Sequence, residues 1–184
     1  MPNGWNNQPV YLQSGDPENE NNASLAYGGQ LGTRFMVVQP SRSAAGAEDG
    51  RAKGYQLVKT DSTMAVAPYR GAVAWWSDKT GYVVTTTVTT LGRGRIAGVF
   101  QNSVTPGNYT CVQIKGPATV KFVDSPTAAP AATGGFVIPS ATNGKADCLA
   151  AGSAATYPTL GVAAGSMNLG DNTAVVDLDV PETV

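Results

Sequence analysis

Histidine does not occur in this chain of 184 residues. Its absence removes the commonest general acid and base at neutral pH and the commonest transition-metal ligand, so every triad built on histidine is excluded. Cysteine is scarce as well: Cys111 and Cys148 stand alone, without the CxxC spacing of a zinc site. They read as small apolar residues buried in strands, with a single disulfide as the alternative. Charged residues are only 14% of the chain and the formal net charge is -1, which gives no broad attraction to nucleic acid or an anionic membrane. No apolar run approaches ~20 residues, so no membrane-spanning helix is expected. The N-terminus lacks a basic region followed by an apolar core, so it does not read as a secretory signal, and synthesis in a cytoplasm is expected.

Helical periodicity is missing too. No stretch repeats apolar residues at i, i+3, i+4 and i+7 for long enough to make an amphipathic helix. What the chain holds instead is 22 glycines, 12 prolines and many Ala, Thr and Val, a composition suited to short strands and frequent turns. The expected fold class is all-β: a small barrel or sandwich of short antiparallel strands, with two related halves and an extended N-terminal arm.

Residues 1–33, rich in Asn, Gln, Gly and Pro, form the arm; residues 34–184 form the β-domain. The arm shows neither periodicity and carries scattered anchors at Trp5, Val10, Tyr11, Leu25 and Tyr27. It reads either as a disordered leader or as an arm whose isolated apolar side chains dock on a neighbour. Beyond it, strands are expected at 34–39, 55–59, 72–76, 82–90, 95–100, 109–115 and 119–123. Further strands are expected at 136–138, 145–150, 159–163 and 173–180, separated by turns such as "SDKTG", "TPGN" and "NLGDN".

The chain also echoes itself. Sliding it by 63 residues lays Gly71, Ser77, Gly81, Gly98, Val99, Gly107 and Val112 on Gly134, Ser140, Gly144, Gly161, Val162, Gly170 and Val175. The echo reads as a structural repeat of 71–115 in 134–178, the alternative being a coincidence of turn grammar. Superposing the two stretches separates these readings.

Chemistry is thin. Asp177 and Asp179 share one face of the last strand, but a charged strand edge explains them more simply than a catalytic pair. No calcium-loop spacing accompanies them. "LGRGRIAG" fits neither dinucleotide nor phosphate-loop spacing, and Arg93 and Arg95 read as surface charges. The basic residues are dispersed, so a nucleic-acid partner is not expected. No catalytic, cofactor or metal residue is assigned and the chain is not read as an enzyme. The partner-binding candidates are Trp5, Tyr11, Leu25, Tyr27, Trp75 and Trp76. Trp75 and Trp76 lie on opposite faces of one strand, so one can enter the core while the other looks outward, where it could serve as a contact or stack on a sugar; core packing under a shielding loop is the commoner explanation. "YVVTTTVTT" is strongly β-forming and uncharged, which suits a subunit interface or a central strand.

The stretches "GYQLVKTDSTMAVAPYRGAVAWWSDKTGYVVTTTV", "GRIAGVFQNSVTPGNYTCVQIKGPATVKFV" and "GKADCLAAGSAATYPTLGVAAGSMNLGDNTAVVDLDV" resemble bacteriophage capsid decoration proteins, also called head-stabilising or cement proteins. The resemblance spans roughly 54–180 and rests on strand and turn grammar. It implies a structural virion protein on the exterior of an icosahedral capsid, bridging subunits of the major capsid protein. It also implies a homo-oligomer, a trimer ahead of a dimer, with neither cofactor, nucleic acid nor membrane as partner. The competing reading is a carbohydrate- or receptor-binding β-module of a virion.

Overall fold

The computed structural model describes residues 17–24, 30–38, 52–88, 95–128, 135–149, 153–155 and 157–181. Within them the chain is all-β, with one 3₁₀ turn at Pro17–Asn19. Ten strands follow: β1 Arg34–Val38, β2 Ala52–Thr60, β3 Val73–Asp78, β4 Val83–Thr85, β5 Ile96–Phe100 and β6 Tyr109–Lys121, then β7 Phe136–Pro139, β8 Ala146–Cys148, β9 Gly161–Ala163 and β10 Thr173–Asp179. They form one sheet in the order β1-β2-β4-β3-β5-β6-β10-β9-β7-β8, and a further pairing of β2 with β6 closes β2, β4, β3, β5 and β6 into a five-stranded barrel. Closure leaves those strands without free edges.

Two features depart from the expected set of short antiparallel strands. β2 and β4 run parallel, pairing Lys59 with Val83 and Thr60 with Val84. The separate strands expected at 109–115 and 119–123 are one 13-residue strand that passes straight through Gly116–Pro117. The passage is built around a bulge. Gly116 has φ +81°, and a Cβ there would sit 2.6 Å from the Ala52 carbonyl oxygen. The Gln113 amide donates to the carbonyls of Lys115 (3.0 Å), Gly116 (3.3 Å) and Pro117 (2.9 Å), which ties the bulge into the strand.

The long strand explains the echo. Its first half closes the first barrel against β2, and its second half pairs with β10 as β2 pairs with its first half. Tyr55 faces Gln113, and 63 residues later Ala118 faces Val176. Val73 faces Val99, and Phe136 faces Val162. The parallel pair Lys59 and Val83 returns as a parallel bridge between Phe122 and Ala146, which joins β8 back to the end of β6. The Phe100 amide donates to the Ala72 carbonyl at 2.9 Å, as the Ala163 amide does to Gly135 at 2.9 Å. Strand pairing therefore recurs from 52–115 to 115–178, a longer match than the glycine spacing covers, and the two units share β6.

Two pairings differ in register between the units. Phe100 faces Val112 in the first, whereas Ala163 faces Val176, not Val175, in the second. β3 and β4 pair Trp76 with Val84, but β7 and β8 pair Pro139 with Ala146, again one residue away from the repeat. A one-residue slip turns a strand over. Val112 and Ile114 thus point into the first barrel, while Ala174, Val176 and Leu178 enter the second cluster and Val175 and Asp177 face outward.

The interior holds three clusters. Ala74, Trp76, Ala97, Phe100 and Val112 belong to the first barrel. Phe122, Val137, Cys148, Leu160 and Val176 form the second cluster, together with Val73, Trp75, Ile96 and Val99 from the opposite side of β3 and β5. β3 and β5 are thus a wall with a core on each side. A third cluster, Phe35, Tyr55, Leu57 and Cys111, is the packing of β1 on the outside of β2 and β6.

The arm docks on its own chain where it is described. Asn22 bridges Tyr109, and the buried Glu20 offers its carbonyl to the Thr110 hydroxyl (2.7 Å) and the Asn102 amide (3.0 Å). Glu18 receives Lys53 Nζ at 2.9 Å and the Tyr55 hydroxyl at 2.7 Å.

Candidate functional site

Four of the residues expected to bind a partner, Trp5, Tyr11, Leu25 and Tyr27, lie outside the described residues, as does Arg93. Trp75 and Trp76 do point to opposite faces, but neither looks outward: they are 1% and 6% exposed. Both are packed in cores and the outward alternative fails, because the far side of β3 is covered by the second unit rather than by a shielding loop. Of the threonine-rich stretch expected as a strand over 82–90, only Val83–Thr85 is strand, β4, which is paired to β2 on one side and β3 on the other; residues 89–90 lie outside the described residues. Asp177 and Asp179 sit on the exposed face of β10, and among the described residues no cluster of three acidic or thiol groups is placed to hold a metal. Arg95 is exposed, its carbonyl accepting the Trp76 amide at 2.9 Å. Cys111 and Cys148 are buried thiols in different clusters, not joined in a disulfide.

Two surfaces were not legible in the sequence. The first is an apolar row on the open side of the second unit. Phe136 and Val162 face each other across β7 and β9 and are 53% and 37% exposed; Val162 also faces Asp177 on β10, and Val175, two residues along that strand, is 47% exposed. The same positions of the first unit, Val73 and Val99, are completely buried against the second cluster. The repeat covers this wall face once and leaves its second copy open.

The second surface is a cleft of about 370 Å³ at the end of the first barrel, lined by Gly32, Arg34, Gln56, Trp76, Lys79 and Tyr82, with Ala97 and Val180 beneath. The turn between β3 and β4 positions its rim. Asp78 accepts the amides of Thr80 (3.0 Å) and Gly81 (3.1 Å), and the Ser77 hydroxyl donates to the Val83 carbonyl at 3.2 Å. In the "SD" of this turn the aspartate supplies the acceptor and the serine a donor. Tyr82 leaves the turn at φ 53°, unusual for a bulky residue. Its ring meets Trp76 edge-on at 6.2 Å and lies directly over Gly32, where any side chain would collide with it. Gln56 is 3% exposed; its amide donates to the Gly32 carbonyl at 3.2 Å and its Oε1 is buried without a partner. Among the described residues, the charged ones lining the cleft, Arg34 and Lys79, are both cationic.

No family model, no curated protein and no solved structure matches the chain.

Proposed function

We propose that the chain is a structural virion protein, a capsid decoration protein that attaches to the outside of an icosahedral phage shell and bridges major capsid subunits. The Phe136, Val162 and Val175 row is its attachment face. The reading draws on the resemblance over 54–180 and on one structural observation: an apolar sheet face exposed in the second unit whose counterpart in the first is buried. A contiguous apolar patch beside a polar rim is the signature of a protein interaction site, and Asp177 provides that rim. Binding a site present only on the assembled shell stabilises the shell by mass action.

The test is co-sedimentation of the purified protein with expanded heads of its own phage. Wild type is expected in the pellet and the Phe136→Asp, Val162→Asp double variant in the supernatant. Wild type left in the supernatant ends the decoration reading; a variant that pellets like wild type ends the assignment of this face. Native mass measurement on the same sample checks the trimer.

A further inference from the structure

We propose that Asn143–Gly144 is a deamidation site kept shut by the joint between the two units, so that parting of the units sets when it reacts. No residue of the attachment face takes part. The pair forms the turn between β7 and β8, where the Lys145 amide donates to the Thr142 carbonyl at 3.1 Å and Gly144 has φ +68°. Asparagine before glycine cyclises readily, since no side chain shields the glycine nitrogen. That nitrogen attacks Asn143 Cγ: a new C–N bond closes a succinimide ring, the bond from Cγ to Nδ2 breaks, and ammonia leaves with the amide proton. Water then opens the ring to aspartate or to isoaspartate, whose main chain is longer by a methylene.

In the fold the two groups that must meet are each committed elsewhere. The Gly144 amide donates to the Thr86 carbonyl at 2.9 Å, and Asn143 Oδ1 accepts the Val88 amide at 2.8 Å. The Gly144 carbonyl accepts the Val73 amide at 2.9 Å and the Tyr69 hydroxyl at 3.3 Å. These partners all belong to the first unit, and Thr86 and Val73 are completely buried. A Cβ on Gly144 would lie 3.1 Å from the Tyr69 hydroxyl and 3.4 Å from Ala72 Cβ, so the turn is plugged tightly into its neighbour. The repeat shows that this is not a property of the turn itself. Thr80 and Gly81 hold the same positions 63 residues earlier, and both are exposed. Asparagine thus stands in the copy that the joint covers. An isoaspartate there would push Gly144 along by a methylene, and it could not return to both Thr86 and Val73. The reaction is held off while the joint holds and makes its opening irreversible.

The experiment is peptide mapping by mass spectrometry of the full chain kept at mildly alkaline pH, native and in urea, with the free peptide "SATNGKAD" as reference. The unfolded chain is expected to lose ammonia at Asn143 as fast as the peptide. The native chain should react at least about tenfold more slowly, because reaction from an opened state tracks the population of that state. Val99→Ala, which thins the packing between the units, is expected to speed the native reaction at least about threefold. Val58→Ala, inside the first barrel, should leave it unchanged. A native rate equal to the unfolded one overturns the gating, and no reaction in urea overturns the site. Equal acceleration by both variants makes global unfolding the route, and acceleration by neither makes it local fraying of the turn; either overturns control by the joint. The wild-type comparison decides the gating even if a variant fails to fold. Binding to heads is read separately, so failure here leaves the attachment reading standing, and the reverse also holds.

Discussion

Trp75 and Trp76 are neighbours in sequence whose indoles enter different cores, Trp76 the interior of the first barrel and Trp75 the cluster shared with the second unit. A strand sends successive side chains to opposite faces, and β3 has an apolar layer on each. Either Trp75→Ala or Trp76→Ala is expected to cost about 3–5 kcal/mol, the usual penalty for emptying a buried aromatic site. Urea denaturation with tryptophan fluorescence measures it; a loss below about 1 kcal/mol for Trp75 would contradict the double-walled arrangement.

The two wall faces give a paired contrast. Val73→Ser, in the covered copy, is expected to cost on the order of 2 kcal/mol or more. Phe136→Ser, at the equivalent position of the open copy, should change stability by no more than about 0.5 kcal/mol. Equal losses in urea midpoints would mean that the open face is covered in solution by something that unfolds with the chain.

Gly98 and Gly161 occupy one position of the repeat, at φ 152° and 157°, where the backbone of the neighbouring strand comes close. A Cβ would lie 2.7 Å from the Gln113 carbonyl oxygen in the first case and 2.1 Å from that of Asp177 in the second. Gly98→Ala and Gly161→Ala are each expected to destabilise by about 1–3 kcal/mol, with Gly161→Ala the worse. Thermal melting of the two variants checks the order.

Acid should loosen the arm. Burial raises the Glu18 carboxyl, but hydrogen bonds from Lys53 and Tyr55 and the charges of Lys53 and Arg70 outweigh it, leaving it below its ordinary 4.5. A carboxyl depressed in the fold stabilises fully above its unfolded value and loses that contribution as pH falls through the folded one. Glu18→Gln is therefore expected to be less stable than wild type by about 1–3 kcal/mol at pH 7, because it removes the carboxylate partner of buried Lys53. Melting curves should converge as pH drops below about 4. A gap that stays constant down to pH 3 would show that the carboxylate charge has no part in docking.

Neither thiol should react in the folded state. Burial, and then the Asp147 carboxylate, push the Cys148 thiol up, and Cys111 is enclosed beside Tyr55 and Leu57. An aromatic disulfide reagent is expected to titrate both only after denaturation; rapid reaction of either in native protein would contradict the burial.

Most strand positions are legible in the sequence, since "AVAWW", "RIAGVF" and "TAVVDLDV" carry strong β preference between well-marked turns. The glycine echo points to matching stretches, and matching strand pairs are found there. What stays hidden is the shared strand, because Gly116–Pro117 reads locally as a break; it becomes continuous only through the Gln113 side chain and a bulge against Ala52. The cleft is equally invisible, since Gln56, Tyr82 and Gly32 are distant in sequence and ordinary in type.

Most of the segments that become strands, and most of the turns, follow from the order of residues alone, because β preference and turn chemistry act over a few residues. Which face of each strand is covered is settled only in the assembled fold. That choice depends on register, and a slip of one residue between units sends Val112 inward and Val175 to the surface from equivalent positions.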